Sequence, residues 1–237
     1  MKHAAVIKQY LRERRGEEFV AEAFPFVTIS REAGAGGRTL AAEIVRKLEA
    51  LRPGAFAEDW EVFDDQLCAL IAEDEKLGVS FDQLLTEEYR SEVNEVVTEL
   101  IAQRAKRYEV FKRVFGIVRM LGTLGKCVVV GRAGMCVTAD MPLGVHIRLV
   151  APEPVRLKRM MKLLRLGAAE AARKMKAQDE DRQRLVRDFF GKNVDDPLLY
   201  DAVFNTDRLA IPEIADAVAR LVLQRMDRYE RSTKTRP

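Results

Sequence analysis

An α/β fold, a five-stranded parallel sheet with helices on both faces, is what this 237-residue sequence predicts. Three observations carry the expectation. Short strand-like runs alternate with segments of helical period, the order that builds parallel sheets through right-handed crossovers. The first run, Val27-Thr28-Ile29-Ser30, opens into a glycine cluster at Gly34, Gly36 and Gly37 that leads straight into a helical pattern. With 48% hydrophobic and 32% charged residues, the chain also has the apolar content for one sizeable core.

Taken in order, residues 1–23 read as a charged helical extension ahead of a core spanning 24–225, and 226–237 as a polar tail without apolar periodicity. Strands are expected at 26–30, 61–64, 127–131, 145–150 and 202–205. Leu40, Ile44, Val45 and Leu48 fall on one helical face, which sets the glycine cluster at a strand-to-helix junction. After the second strand, Val93, Val97, Leu100, Arg104, Phe111, Val114 and Val118 keep a helical period. The region 65–120 is too long for a plain crossover and reads as a helical insertion. Between 152 and 190, Leu157, Met161 and Leu164 share one face, and Leu185, Val186 and Phe189 form another short stripe in a strongly basic stretch. The closing helix has Pro212 in its first turn, where a missing N–H costs little, and Ile214, Val218, Leu221 and Val222 on one side.

Composition narrows the function classes. No stretch approaches the roughly 20 apolar residues of a membrane span. The first eighteen residues carry Lys2, Lys8, Arg12, Arg14 and Arg15 without the apolar run of a secretory signal, so a cytoplasmic location is expected. Cys68, Cys127 and Cys136 with His3 and His146 suggest neither a disulfide framework nor a zinc site. Forty basic against 37 acidic residues, net +3, is too balanced to argue for nucleic acid. Nothing in the sequence sets an oligomeric state.

Glycines at such a junction allow positive φ and turn backbone N–H groups inward, toward the positive end of the following helix, which is how phosphate is cradled. The P-loop pattern G-x-x-x-x-G-K-[ST] adds a lysine that this chain lacks, and two registers are open. With Gly36 as the last motif glycine, Arg31 stands at the first glycine and Gly37 at the lysine. With Gly37 last, Arg38 stands at the lysine and Thr39 at the magnesium-binding hydroxyl, which keeps more of the chemistry; arginine is forked and grips phosphate bidentately. Further on, Cys127 to Gly134 ends a buried strand in Gly-Arg-x-Gly, which aims Arg132 at the carboxyl edge where α/β proteins bind ligands; the plain alternative is a surface arginine in a tight turn. Among the basic residues Arg156, Arg159, Arg165, Arg173, Arg182, Arg184 and Arg187, a lid would use two or three to neutralise transferring charge. Asp181 and Arg184 lie three apart on a helix, which also describes an ordinary ion pair.

In this order the motifs resemble the cytidylate kinase-like family of P-loop nucleoside monophosphate kinases. The segment from Ile29 to Arg38 looks like that family's loop, Val128 to Gly134 its G-R-D stretch with Ala133 in place of the aspartate, Ala139 to Leu143 its D-A-P-L type segment, Asp181 to Arg184 its D-R-x-R, and Asn205 to Leu209 its N-T-D-R-L ending. The resemblance implies ATP and Mg²⁺ as cofactors and phosphoryl transfer to a nucleoside monophosphate, CMP-like, with nucleotides as partners and no membrane or specific nucleic acid. It implies donor-phosphate contacts from Gly34, Ala35, Gly36, Gly37, Arg38 and Thr39, with Thr39 on the metal. Arg132, Asp181 and Arg184 would contact the acceptor, and Arg38, Arg132 and Arg184 would serve transfer. The region 65–120 would be the acceptor-binding insertion and 152–190 the lid. Asp64 or Asp65, closing the second strand, would take an acceptor or metal role, or simply cap a helix. The alternative is a non-catalytic nucleotide-binding module with a degenerate loop.

Overall fold

The strands of this sheet are runs whose alternate residues face two separate apolar layers. In the computed structural model, described for residues 24–51, 59–64 and 105–234, the elements are β1 (Phe26–Arg31), α1 (Gly37–Leu51), β2 (Glu61–Phe63), α2 (Ala105–Leu124), β3 (Cys127–Val130), α3 (Gly134–Val137), β4 (Gly144–Val150), α4 (Glu153–Leu164), α5 (Ala168–Phe190), β5 (Ala202–Asn205) and α6 (Ile211–Lys234). The five strands form one sheet in the order β2-β3-β1-β4-β5, with every neighbouring pair parallel. The expected α/β architecture, a five-stranded parallel sheet with helices on both faces, is therefore the observed one.

The period of two sorts the core. Val27, Ile29, Val128, Val130, Val145, Ile147 and Leu149 face α1 and α6, where Leu40, Ile44, Leu48, Ile214, Val218 and Val222 are all fully enclosed. Phe26, Phe63, Cys127 and Val129 point the other way, against Val114, Phe115, Val118 and Leu121 of α2 and Val186 of α5. Each such side chain contributes about 1.5–3 kcal/mol by leaving water, so both layers are needed to hold β1 and β3 side by side.

Two boundaries differ from expectation. Residues 114–121 sit in the core layer under β3, so the end of the expected 65–120 insertion belongs to the main body. Its remainder, with Val93, Val97, Leu100, Arg104 and Asp65, lies outside the described residues, as do 1–23 and Cys68. At the other end α6 continues through Lys234, so most of the polar stretch from Met226 is helical; a helix already nucleated on an apolar stripe propagates through polar helix formers. Among the described residues, no helix is long and apolar enough to cross a membrane.

Two half-buried groups at the edge of the core have shifted titrations. Burial pushes the Cys136 thiol up to about 11, which leaves it a packing group. His146 is half-buried beside Phe26, its Nδ1 lies 2.8 Å from Thr28 Oγ1, and loss of solvent around the ring pushes its imidazole below the ordinary range, with Asp201 opposing and Arg225 reinforcing the shift. The unfolded chain therefore takes up this proton first, and stability falls as pH drops below roughly 6.5. Thermal unfolding from pH 8 to 5.5 is expected to show a steeper loss of Tm in the wild type than in His146→Gln; parallel profiles would contradict the assignment.

Candidate functional site

The direction in which successive connections cross the sheet reverses between the parallel strands β1 and β3. From β1 the chain goes to β2 on one side of the sheet, whereas from β3 it crosses to β4 on the other. Ligand sites of open α/β sheets form at such a switch, outside the carboxyl ends of the strands. Here that crevice is a cleft lined by Thr28 to Arg31 of β1, Gly131 to Met135 after β3, and Arg182, Leu185 and Val186 of α5.

The loop after β1 has the backbone its glycines allow. Gly34 and Gly36 take φ of 80° and 92°, Ala35 N–H donates to Glu32 O, and Leu40 N–H makes a bond to Gly36 O at the start of α1. Gly37, Arg38 and Thr39 precede that acceptor pattern, so their N–H groups point out of the helix start, where the helix dipole favours an anion. Thr39 is exposed. Arg38 does not fold back over the loop: its Nε lies 3.0 Å from Asp64 Oδ2 at the end of β2, and its side chain is 57% exposed. These two expected site residues are thus brought together as a pair.

Over the loop lies Arg31 instead. A Cβ on Gly37 would stand 3.1 and 3.3 Å from Arg31 Cγ and Cδ, and one on Gly131 would fall 2.0 Å from Arg31 Nη1. The stem of Arg31 therefore runs along Gly37 and its guanidinium sits against Gly131. The turn after β3 is itself unusual. Gly131 has φ 89°, while Arg132 and Ala133 take left-handed φ of 54° and 52°, each costing about 1–2 kcal/mol for a non-glycine residue. Strain of this kind collects at functional sites. It seats Arg132 in the cleft wall with a buried Nε. Ala133 is buried as well, where an aspartate would need partners of its own.

The stretch expected to form a lid consists of two helices, α4 and α5, that pack on each other and are tied to the loop. Asp179 Oδ1 accepts from Ala33 N–H at 2.7 Å and from Arg182 at 3.1 Å, and its Oδ2 accepts from Arg156 at 2.7 Å. Arg156, only 11% exposed, also donates to the carbonyls of Ala33 and Ala151 and pairs with Glu32. Glu32 in turn accepts from Ala151 N–H at 2.9 Å. Arg159 ties Gly34 O to Thr206. Below these polar ties, Ala33 packs with Met160, Ala171 and Met175, and the expected stripe of Leu157, Met161 and Leu164 leans on them.

Asp181 and Arg184 pair with each other on the exposed face of α5. Neither lines the cleft; Arg182 does. The exposed Arg184–Asp181 pair is the ordinary i,i+3 contact, and nothing in this geometry joins it to Arg132. Asp140 binds Arg119 through both carboxylate oxygens, and that hydrogen bonding holds its carboxyl below the usual range, so it props α2 against the turn before β4. Ser30 accepts from the buried Arg148 and from Tyr200, while Arg148 also pairs with Asp195. Burial raises the Tyr200 hydroxyl, keeping it a neutral donor.

Glu32 and Asp179 are what sequence reasoning did not single out, whereas Arg156, Arg159 and Arg182 stood among its seven basic candidates without being told from the rest. The sequence signal for Glu32 is the triplet Ser30-Arg31-Glu32, three polar residues where a buried strand ends; each proves to hold a different neighbour. Among the described residues, no group of three or more His, Cys, Asp or Glu gathers to hold a metal by itself.

Known structures resemble this fold at low sequence identity. An uncharacterized protein from Eubacterium ventriosum superposes with a TM-score of 0.58 and 16% identity, over 84% of this chain and 98% of the other. A shikimate kinase from Bacteroides thetaiotaomicron gives 0.45 and 15% over 84% and 98%. An APS kinase from Mycobacterium tuberculosis, solved with AMPPNP and APS, gives 0.41 and 18% over 86% and 98%. No match was found among curated protein sequences. The cytidylate kinase-like family model matches residues 26–208, from the first residue of β1 past the end of β5, and the chain belongs to that family.

Proposed function

We propose that this protein transfers the γ-phosphoryl group of ATP to a nucleoside monophosphate, with a CMP-like acceptor favoured by its family. The observation that carries the reading is the glycine turn at Gly34 and Gly36 opening into α1, beside a cleft into which Arg31, Arg132 and Arg182 converge from three separate elements. Phosphoryl transfer depends mostly on alignment and on neutralising charge, which such an arrangement supplies. The backbone of Gly34, Ala35, Gly36, Gly37, Arg38 and Thr39 would hold the donor phosphates. Arg132 and Arg182 would hold the acceptor phosphate in the cleft between β1 and β3; Asp181 and Arg184 would at most reach the acceptor from the lid surface.

The residues present fit Mg²⁺. That ion takes one or two protein oxygens beside phosphates and water; the Thr39 hydroxyl stands in the first turn of α1, and the Asp64 carboxylate, paired with Arg38 of that same turn, lies at the end of β2. When bound, it would offset phosphate charge. In the transfer, the bond from the γ phosphorus to the bridging oxygen breaks, an acceptor phosphate oxygen forms a new bond to that phosphorus, and ADP leaves.

Phosphorus NMR of the protein with ATP, Mg²⁺ and each monophosphate in turn is expected to show ADP and a new diphosphate. No turnover with any acceptor would overturn the reading, and ATP-induced thermal stabilisation without turnover would make the protein a nucleotide-binding module instead. Arg38→Ala is expected to weaken ATP binding by about 1.5 kcal/mol, the lower end for a charge-assisted contact, because its side chain is exposed and shared with Asp64. Calorimetry checks this, and an unchanged affinity removes the Arg38 side chain from the site.

A further inference from the structure

We infer that Arg31 does the work of the missing loop lysine, as a phosphate-binding residue that reaches the same place from the opposite end of the loop; this rests on the phosphoryl-transfer reading above. Three positions that look unrelated in sequence support one another here. Against the P-loop pattern in the register that ends at Gly36, Arg31 replaces the first glycine and Gly37 replaces the lysine. In space these two exchanged positions touch: the Arg31 Cγ and Cδ lie where any side chain on Gly37 would have to start, 3.1 and 3.3 Å from its Cβ position. A lysine at 37 and an arginine at 31 would compete for one volume. The chain keeps the cation and gives up the other side chain.

Gly131 completes the arrangement. Its missing Cβ leaves the space into which Arg31 Nη1 settles, 2.0 Å from where that carbon would be. The guanidinium is thereby placed between the start of α1, where the donor phosphates would lie, and the Gly131-Arg132 turn on the acceptor side. A forked cation there can hold phosphate oxygens bidentately. Arg38, the other replacement offered by the sequence, is turned away toward Asp64.

Arg31→Met is the test, because it keeps the aliphatic stem over Gly37 and removes the charge. Calorimetric titration with ATP, and turnover followed by phosphorus NMR, are expected to show a loss of about tenfold to a hundredfold with Tm close to wild type. The double substitution Arg31→Gly with Gly37→Lys restores the glycine and lysine positions of the ordinary loop, with Arg38 still at the hydroxyl position, and is expected to recover most of that loss. If Arg31→Met folds poorly, the double variant carries the test: recovered ATP affinity supports the exchange, and a folded double variant without it overturns the exchange. A folded Arg31→Met that binds and turns over within about twofold of a functional wild type overturns this inference and leaves the phosphoryl-transfer reading standing. A wild type that neither binds ATP nor phosphorylates any acceptor overturns that reading first, which separates the two failures.

Discussion

Gly34→Ala is expected to cost about 3 kcal/mol or more and to unseat the lid from the loop. Two independent terms add at this position. Gly34 has φ of 80°, a region that a Cβ disfavours. Its Cβ would also stand 2.6 Å from the backbone carbonyl oxygen of Arg156, and 3.1 Å from two further backbone atoms of the same residue. Backbone cannot swing aside as a side-chain tip can, so either the loop flattens or α4 moves. Either response breaks the Arg156 bond to Ala33 O and the Arg159 contact to Gly34 O. Urea unfolding followed by circular dichroism should show a lowered midpoint. A midpoint within error of the wild type would mean that α4 does not abut the loop as described.

Asp179→Ala is the second large effect, with an expected loss of about 2–3 kcal/mol, somewhat less than for breaking a fully buried ion pair because the carboxylate is 23% exposed. One carboxylate here serves Ala33 N–H, Arg156 and Arg182 together. Its removal leaves Arg156, 11% exposed, with the more distant Glu32 as its remaining carboxylate, at 3.3 Å. Asp179→Asn keeps an acceptor for Ala33 N–H while removing the charge, and is expected to fall between the wild type and the alanine variant. Thermal unfolding of the three proteins gives the order directly. An alanine variant as stable as the wild type would show that the apolar contacts of Ala33, Met160, Ala171 and Met175 hold the lid alone.

Of these two residues, Gly34 stood in the glycine cluster that the sequence makes plain, whereas Asp179 carried no mark in it. The strands of the sheet were legible because a buried parallel strand is a short apolar run bounded by turn residues, and Cys127 to Val130 shows this most simply. The loop was legible because positive φ selects glycine, and Gly34 and Gly36 fall where the backbone needs it. The lid was legible only as a pair of amphipathic helices. Which of its charges matter was not, because Asp179 and Asp181, like Arg182 and Arg184, are two apart and lie on opposite sides of α5. Either set satisfies a helical pattern equally well. Docking of α5 against Ala33 and β3 then turned Asp179 and Arg182 inward and left Asp181 and Arg184 in water.

By itself, then, the sequence determined the α/β class, the order of elements and the place of the glycine turn, because hydrophobic period and glycine conformation are local properties that one stretch of chain expresses unaided. The tertiary structure alone decided which cation covers the loop. Arg31, Gly37 and Gly131 come together through the pairing of β1 with β3, which sets Ile29 beside Val130 and brings the following residues of both strands to one edge. A contact made across a sheet depends on register between distant segments, and no local pattern records it.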